Sequence, residues 1–257
     1  MKEELLVRMV GISKSFGGLK ALDRVNFELL RGEVLGLVGD NGAGKSTLIK
    51  ILTGAYLPDE GEIYIDGKQV FFREPKDAEK MGVAAIYQDL ALIPTLDAPG
   101  NMFLGKELKK SFLGVGFKLL DRKGMMQETR KVLKQKLGME ISDLSRPVHV
   151  LSGGQQQGIA IARAVHARAK ILIMDEPTSA LGTRGKQELF RLIDQLKEEA
   201  VSIIIISHNL VHIFEVSDRI VVLRNGQRVG DRITSESNRK EIVHLIVGGE
   251  DEEKGIN

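Results

Sequence analysis

The chain of 257 residues contains no cysteine. Disulfides, cysteine-ligated metals and a thiolate nucleophile are thereby excluded, and a reducing compartment is compatible with the composition. Net charge is almost absent. Thirty-seven Lys and Arg stand against 35 Asp and Glu, a formal +2, so no strong field steers the chain to nucleic acid. Long apolar runs are missing too. Met1–Arg8 carries no apolar signal region, and stretches such as Ile203–Ile206 are far too short to span a bilayer. If the protein works at a membrane, the expectation is that a partner supplies the spanning helices. No internal repeat and no low-complexity segment is found. The one uneven patch of charge, Glu250–Glu253, reads as a solvated acidic tail over residues 248–257.

The apolar content, 42%, is enough for a packed core. Strand-like and helix-like segments alternate, which predicts an α/β fold. Val83–Tyr87, Ile171–Met174 and Val201–Ile206 lack polar alternation, as expected of a largely parallel sheet covered on both faces. In residues 185–198, Leu189, Leu192, Ile193 and Leu196 share one helical face. Leu6–Ser15, Ala21–Leu30 and Glu62–Phe72 read as an N-terminal antiparallel β-meander, with turns at Gly17-Gly18, Arg31-Gly32 and Asp66-Gly67. Between Gln88 and Leu151 helix signals dominate. Asp121 is the expected N-cap of an amphipathic helix reaching Leu137, with Met125, Val132, Leu133 and Lys136 at helical spacing, and Lys109–Lys118 is expected to be a loop. The expected organisation is one domain over 1–247. Residues 1–87 and 169–247 form an α/β core with its β subdomain, and 88–168 form an inserted α-helical subdomain.

Gly39-Asp40-Asn41-Gly42-Ala43-Gly44-Lys45-Ser46-Thr47 fits the phosphate-binding P-loop G-x-x-x-x-G-K-[ST], with an apolar strand before it and a helix after it. Glycines let the backbone wrap an anion, and successive N–H groups and the positive helix end then face the phosphates. Lys45 is expected to reach the β- and γ-phosphates and Ser46 to coordinate Mg²⁺. The competing reading is a glycine-rich turn that binds nothing.

Four further features follow in order. Gln88, after the Val83–Tyr87 strand, can reach Mg²⁺ or an attacking water, although such a residue alone is usually a surface one. Ser152-Gly153-Gly154-Gln155, opening a helix, fits an anion nest and an ordinary N-cap equally well. Asp175 and Glu176 end an apolar strand. Asp175 suits a hard cation, Glu176 suits polarising a water, and a mere surface acidic pair is the alternative. His208 follows the next strand, either as a helix-start residue or as a γ-phosphate contact.

Together, Gly39–Thr47, Gln88, Leu151–Gln157, Asp175-Glu176 and His208 closely resemble the ATP-binding subunit of ABC transporters over nearly the whole chain. The Leu-Ser-Gly-Gly-Gln signature ahead of the acidic strand is highly specific to that family. The resemblance implies a P-loop NTPase that binds ATP and Mg²⁺, with Ser46, Gln88 and Asp175 at the metal and Glu176, His208 and Gln88 as catalytic residues. It implies an ATP-dependent homodimer. Ser152, Gly153, Gly154 and Gln155 of one copy would meet the ATP held by Gly39, Asn41, Gly42, Ala43, Gly44, Lys45, Ser46 and Thr47 of the other. Phe16 falls where the family places an adenine-stacking aromatic, and a core aromatic is its other reading.

Ser145–Val150 lacks the exporter-type run before the signature, and Asn101–Glu107 and Ser179-Ala180-Leu181-Gly182 look like the simple-sugar importers of ribose, xylose and fructose type. The resemblance therefore implies a peripheral subunit on the cytoplasmic face of the cell membrane. Its partners would be integral-membrane sugar permease subunits and, indirectly, a sugar-binding protein, with no nucleic acid. The alternative is a non-transport ABC ATPase acting on nucleic acid or ribosomes, but the interval from P-loop to signature has no sustained heptads. Two departures stand out: Gly182 replaces a usual Asp, and Gly158 follows Gln157 where Arg is common.

Overall fold

The computed structural model describes residues 4–111, 118–179 and 181–248. Apart from Gly248, the expected acidic tail lies outside the described residues, as does Ala180. In chain order the elements are β1 (Leu5–Phe16), β2 (Leu19–Leu30), β3 (Val34–Val38), α1 (Lys45–Leu52), β4 (Glu60–Ile65), β5 (Lys68–Val70), α2 (Pro75–Lys80) and β6 (Val83–Ile86). There follow α3 (Ala98–Met102), β7 (Lys109–Ser111), β8 (Lys118–Leu120), α4 (Arg122–Lys131), α5 (Gly153–His166), β9 (Ile171–Asp175) and α6 (Thr183–Glu198). The described chain ends with β10 (Ser202–Ile206), α7 (Leu210–Val216), β11 (Arg219–Arg224), β12 (Gln227–Ile233) and α8 (Arg239–Val247).

A six-stranded sheet runs β12-β11-β3-β10-β9-β6, parallel throughout except for β12. Its strands are continuous apolar runs because both faces are covered, and the pleat sends alternate residues to opposite sides. Leu35, Leu37, Ile171, Ile173, Ile204 and Ile206 join one core, with Leu48, Ile49 and Leu52 of α1 and the antiparallel sheet. Val34, Val38, Leu172, Met174, Ile203 and Ile205 join the other, with α5, α6 and the helical region. Helix α6 turns Leu189, Leu192, Ile193 and Leu196 inward, as the periodicity predicts.

The antiparallel sheet has the order β2-β1-β4-β5. It is not a simple meander: β1 pairs with β4 although β3 and α1 intervene in sequence. Val7, Met9 and Ile63 are buried on its inner face, and that hydrophobic pattern selects the partner over mere succession. Arg219 locks the two sheets together. Its guanidinium donates to Glu33 Oε1 at 2.6 Å, to Asp231 at 2.9 Å and to the carbonyl of Glu28 at 2.9 Å.

Two local expectations are corrected. Lys109–Lys118 is not simply a loop, because Lys109–Ser111 pairs with Lys118–Leu120 as an antiparallel hairpin; residues 112–117 lie outside the described residues. A strand reading Lys-Lys-Ser has no apolar alternation to betray it. The Asp121 cap is present, its carboxylate accepting from Gly124 N–H at 3.1 Å. The α-helix, however, gives way to a π turn at Val132–Lys136. The wider turn moves the apolar stripe by one residue, so Leu137 is buried and Lys136 is exposed.

Candidate functional site

Because β3, β6, β9 and β10 are parallel, their C-terminal ends share one edge of the sheet, the place where open α/β sheets bind ligands. From that edge emerge the P-loop after β3, Gln88 two residues beyond β6, Asp175 and Glu176 at the end of β9, and Ser207 and His208 after β10.

The P-loop conformation depends on glycine at two points. A Cβ on Gly39 would lie 2.1 Å from the carbonyl of Leu223, and one on Gly44, at φ +101°, would lie 2.7 Å from the carbonyl of Ala21. Helix α1 starts at Lys45 with no side-chain cap, so its first N–H groups remain available to an anion. Lys45 Nζ donates to the carbonyls of Gly39 at 2.6 Å and Asp40 at 2.8 Å. Burial lowers the proton affinity of Lys45, and Glu176, Asp40 and Asp175 partly restore it. Ala43 is buried, whereas Asn41, Gly42 and Ser46 are exposed and Thr47 is half-buried.

The carboxyl of Asp175 is pushed above the usual aspartate range, first by burial and then by neighbouring Glu176, against the pull of Lys45 and Lys50. A divalent cation beside it would relieve that penalty, so the site suits Mg²⁺. Among the described residues no cluster of three or more His, Cys, Asp or Glu holds a metal by itself. A magnesium ion at Asp175 therefore needs other oxygens, such as phosphate and the Ser46 hydroxyl.

Glu176 stands in the left-handed backbone region at φ +50°, a conformation that costs about 1–2 kcal/mol for a residue with a Cβ. Hydrogen bonds hold it there. Its N–H donates to Ile206 O at 2.9 Å, and its carbonyl accepts from Ser179 N–H at 3.2 Å and Ser179 Oγ at 2.9 Å. Its carboxylate accepts from His208 N–H at 2.9 Å, faces His208 Nδ1 at 2.8 Å and accepts from Ser207 Oγ at 3.1 Å. Sequence reading singled out Glu176 and His208 but missed Ser207. The available signal was a hydroxyl on the residue between strand and histidine. It also missed Thr178, whose Oγ1 lies 3.0 Å from His212 Nδ1 and ties the turn after Glu176 to α7.

Gln88 is exposed at the same edge. Phe16 is 43% exposed, so it is not a core residue. Its ring meets Tyr56 edge-on at 5.3 Å, and Lys14 Nζ lies 5.7 Å from its centroid.

The signature residues lie elsewhere. Ser152 and Gln155 form a full capping box on α5. The Ser152 hydroxyl accepts from Gln155 N–H at 3.3 Å and keeps its own hydrogen to donate, so cap and anion nest are compatible. Ser152, Gly153, Gly154 and Gln155 line a cavity of about 600 Å³ with Gly182 and Arg184, and no P-loop residue lines it. Gly182 sits at the N-cap of α6 with no side-chain bond, and a Cβ there would meet nothing within 4 Å. Gly158 is covered by the thioether of Met139, 2.3 Å from where its Cβ would stand. A separate groove of about 580 Å³ runs between β6 and α5, lined by Ala85, Tyr87, Met102, Leu104, Ala160 and Arg163 among others.

Comparison with known proteins gives this geometry its context. A family model described as ABC transporter matches residues 22–179. The chain is 44% identical to the fructose import ATP-binding protein FrcA of Rhizobium meliloti, over 89% of this chain and 88% of the relative. It is 43% identical to the xylose/arabinose import ATP-binding protein XylG of Sulfolobus acidocaldarius, over 94% and 93%. To the ribose import ATP-binding protein RbsA of Caldanaerobacter subterraneus it is 46% identical over 96% of this chain, which spans 48% of that relative. Among solved structures, an ATP-binding cassette of an ABC transporter in its ADP conformation superposes with a TM-score of 0.78 at 26% identity, over 95% of this chain and 99% of that one. A dimeric cassette in a post-hydrolysis state bound to ADP and Pi gives 0.72 at 25% identity, over 89% and 99%. The likeness extends beyond the motifs to almost the full described fold, and the chain belongs to the ABC transporter family as one of its ATP-binding cassettes.

Proposed function

We propose that this cassette powers import of a small sugar through a membrane permease, by hydrolysing ATP sandwiched between two copies of itself. The observation that carries the chemistry is the Glu176 carboxylate, held beside Asp175 at the sheet edge from which the P-loop also emerges. Chain-wide similarity to relatives named for fructose and xylose/arabinose import supports the sugar class, and it favours transport over action on nucleic acid or ribosomes.

In this reading Phe16 stacks on adenine. The P-loop from Gly39 to Thr47 cradles the phosphates with its N–H groups, and Lys45 exchanges its two carbonyl partners for phosphate oxygens. Ser46, Gln88 and Asp175 hold Mg²⁺, which when bound offsets charge on the β- and γ-phosphates. Glu176 takes a proton from the attacking water, while His208 orients that carboxylate and contacts the γ-phosphate. Ser152, Gly153, Gly154 and Gln155 arrive from the second copy. Their separation from the P-loop within one chain supports this trans arrangement. The groove between β6 and α5, where the 1–87 part meets the lobe expected over residues 88–168, is the surface offered to the permease. Among the described residues no helix is long and apolar enough to cross a membrane, and the subunit is placed at the cytoplasmic face by that permease.

Glu176→Gln keeps the shape and removes the base. It is expected to bind ATP normally and hydrolyse it at least ~100-fold more slowly, measured as single-turnover phosphate release. Turnover near the wild-type rate would remove Glu176 from this role.

A further inference from the structure

Ser207 lies between the end of β10 and His208 and is 1% exposed. Its hydroxyl oxygen accepts from Asn209 N–H at 3.1 Å, and its hydrogen goes to Glu176 Oε2 at 3.1 Å. Asn209 is itself fixed as the N-cap of α7, accepting from Val211 and His212 N–H. The serine is thus held on one side by the helix start and on the other by the carboxylate, in a place where no water competes for its hydroxyl.

The two carboxylate oxygens are not equivalent. An ionised carboxylate oxygen offers about two acceptor positions. With the ring proton on Nδ1, the tautomer that a carboxylate neighbour favours, Oε1 uses both, on His208 N–H at 2.9 Å and on His208 Nδ1 at 2.8 Å. Among the described residues Oε2 accepts from Ser207 alone and so keeps one position. We propose that Ser207 is a positioning residue which fixes Glu176 Oε2, rather than Oε1, as the oxygen that receives the proton of the attacking water. The step balances without a further reactant. One O–H bond of water breaks and its proton goes to Oε2. The water oxygen forms a bond to the γ-phosphorus, and the bond from that phosphorus to the bridging oxygen breaks, leaving with ADP. Ser207 forms no bond to ATP. It acts by preventing the carboxylate from rotating and by directing its free lone pair, at a residue whose backbone is already constrained at φ +50°.

The inference rests on Glu176 being the general base, and the experiment separates the two. Ser207→Thr and Ser207→Val have the same shape and differ in the hydroxyl. With the full chain at saturating MgATP, Ser207→Val is expected to slow single-turnover hydrolysis roughly 10- to 100-fold with the ATP KM unchanged, the effect of losing one hydrogen bond to a charged group. Ser207→Thr is expected to stay within about threefold of wild type. Because Ser207 acts through Glu176, Ser207→Val placed in the Glu176→Gln background should cost no more than about twofold further. Equal rates for the Thr and Val variants would overturn the proposal. So would a Val effect that persists in full in the Glu176→Gln background, since that marks a packing defect. If Glu176→Gln alone turned over normally, the base assignment would fall first, independently of Ser207.

Discussion

Phe16 ends β1 with its ring 43% exposed, beside Tyr56 and within 5.7 Å of the Lys14 ammonium. A large ring left half in solvent at a strand end buries little on folding, so its value lies in what it can still cover. Base–aromatic stacking contributes about 1–3 kcal/mol, and Phe16→Ala should weaken ATP binding by roughly tenfold or more while leaving the urea midpoint unchanged. Titration calorimetry and a melt read the two quantities separately. Unchanged affinity would end the adenine reading. At this scale the sequence was informative wherever a residue belongs to a motif, as for Lys45, Asp175 and Glu176. Ser207 and Thr178 were not legible. Their roles arise from the parallel pairing of β9 with β10, which brings residues about thirty positions apart into contact, and no local pattern encodes that. Gly158 and Gly182, visible as departures, acquire a physical setting only in the fold: one lies under Met139 and the other opens α6.

Among the elements, the β4–β5 turn does more than reverse the chain. Asp66, at φ +51°, accepts from Lys170 Nζ at 2.8 Å and Arg31 Nη2 at 2.5 Å, and so ties the antiparallel sheet to the starts of β9 and β3. These bonds, Lys170 first and Arg31 second, hold the Asp66 carboxyl below the usual range. A folded-state pKa below the unfolded one gives stability that is present above about pH 3.9 and lost as pH falls through the folded value. Asp66→Asn tolerates the same backbone. It is expected to lower unfolding free energy by about 1 kcal/mol at pH 7, a difference that shrinks in urea titrations as pH is lowered from about 3.9 through the folded-state value. A deficit that keeps the same size as pH is lowered would contradict the ion-pair account. Apolar continuity revealed the parallel strands and periodicity revealed α6, because both are patterns that burial imposes on the sequence. The β7–β8 hairpin and the π turn were hidden for the opposite reason. A three-residue strand that reads Lys-Lys-Ser offers no apolar stripe in sequence, and a π turn breaks the very period by which helices are read.

For the whole molecule, one edge of the parallel sheet gathers the P-loop, the acidic pair and His208, whereas the signature opens a different cavity beside α6. In the proposed reading these are two anion-binding surfaces that do not face a common ligand within one copy. Two of the solved cassettes that the chain resembles are dimeric. On that reading a head-to-tail pair would use every motif, and a single copy would leave the capping-box serine and its glycines without a phosphate. The most direct measurement is light scattering on the Glu176→Gln chain with MgATP, alongside a Glu176→Gln/Gly153→Glu chain that still binds nucleotide. The single variant should double in mass on addition of ATP. The double variant should remain monomeric, because a carboxylate would then face the partner's γ-phosphate. A monomer at every concentration of the single variant, or a dimer that forms equally well with Glu at position 153, would contradict the shared site.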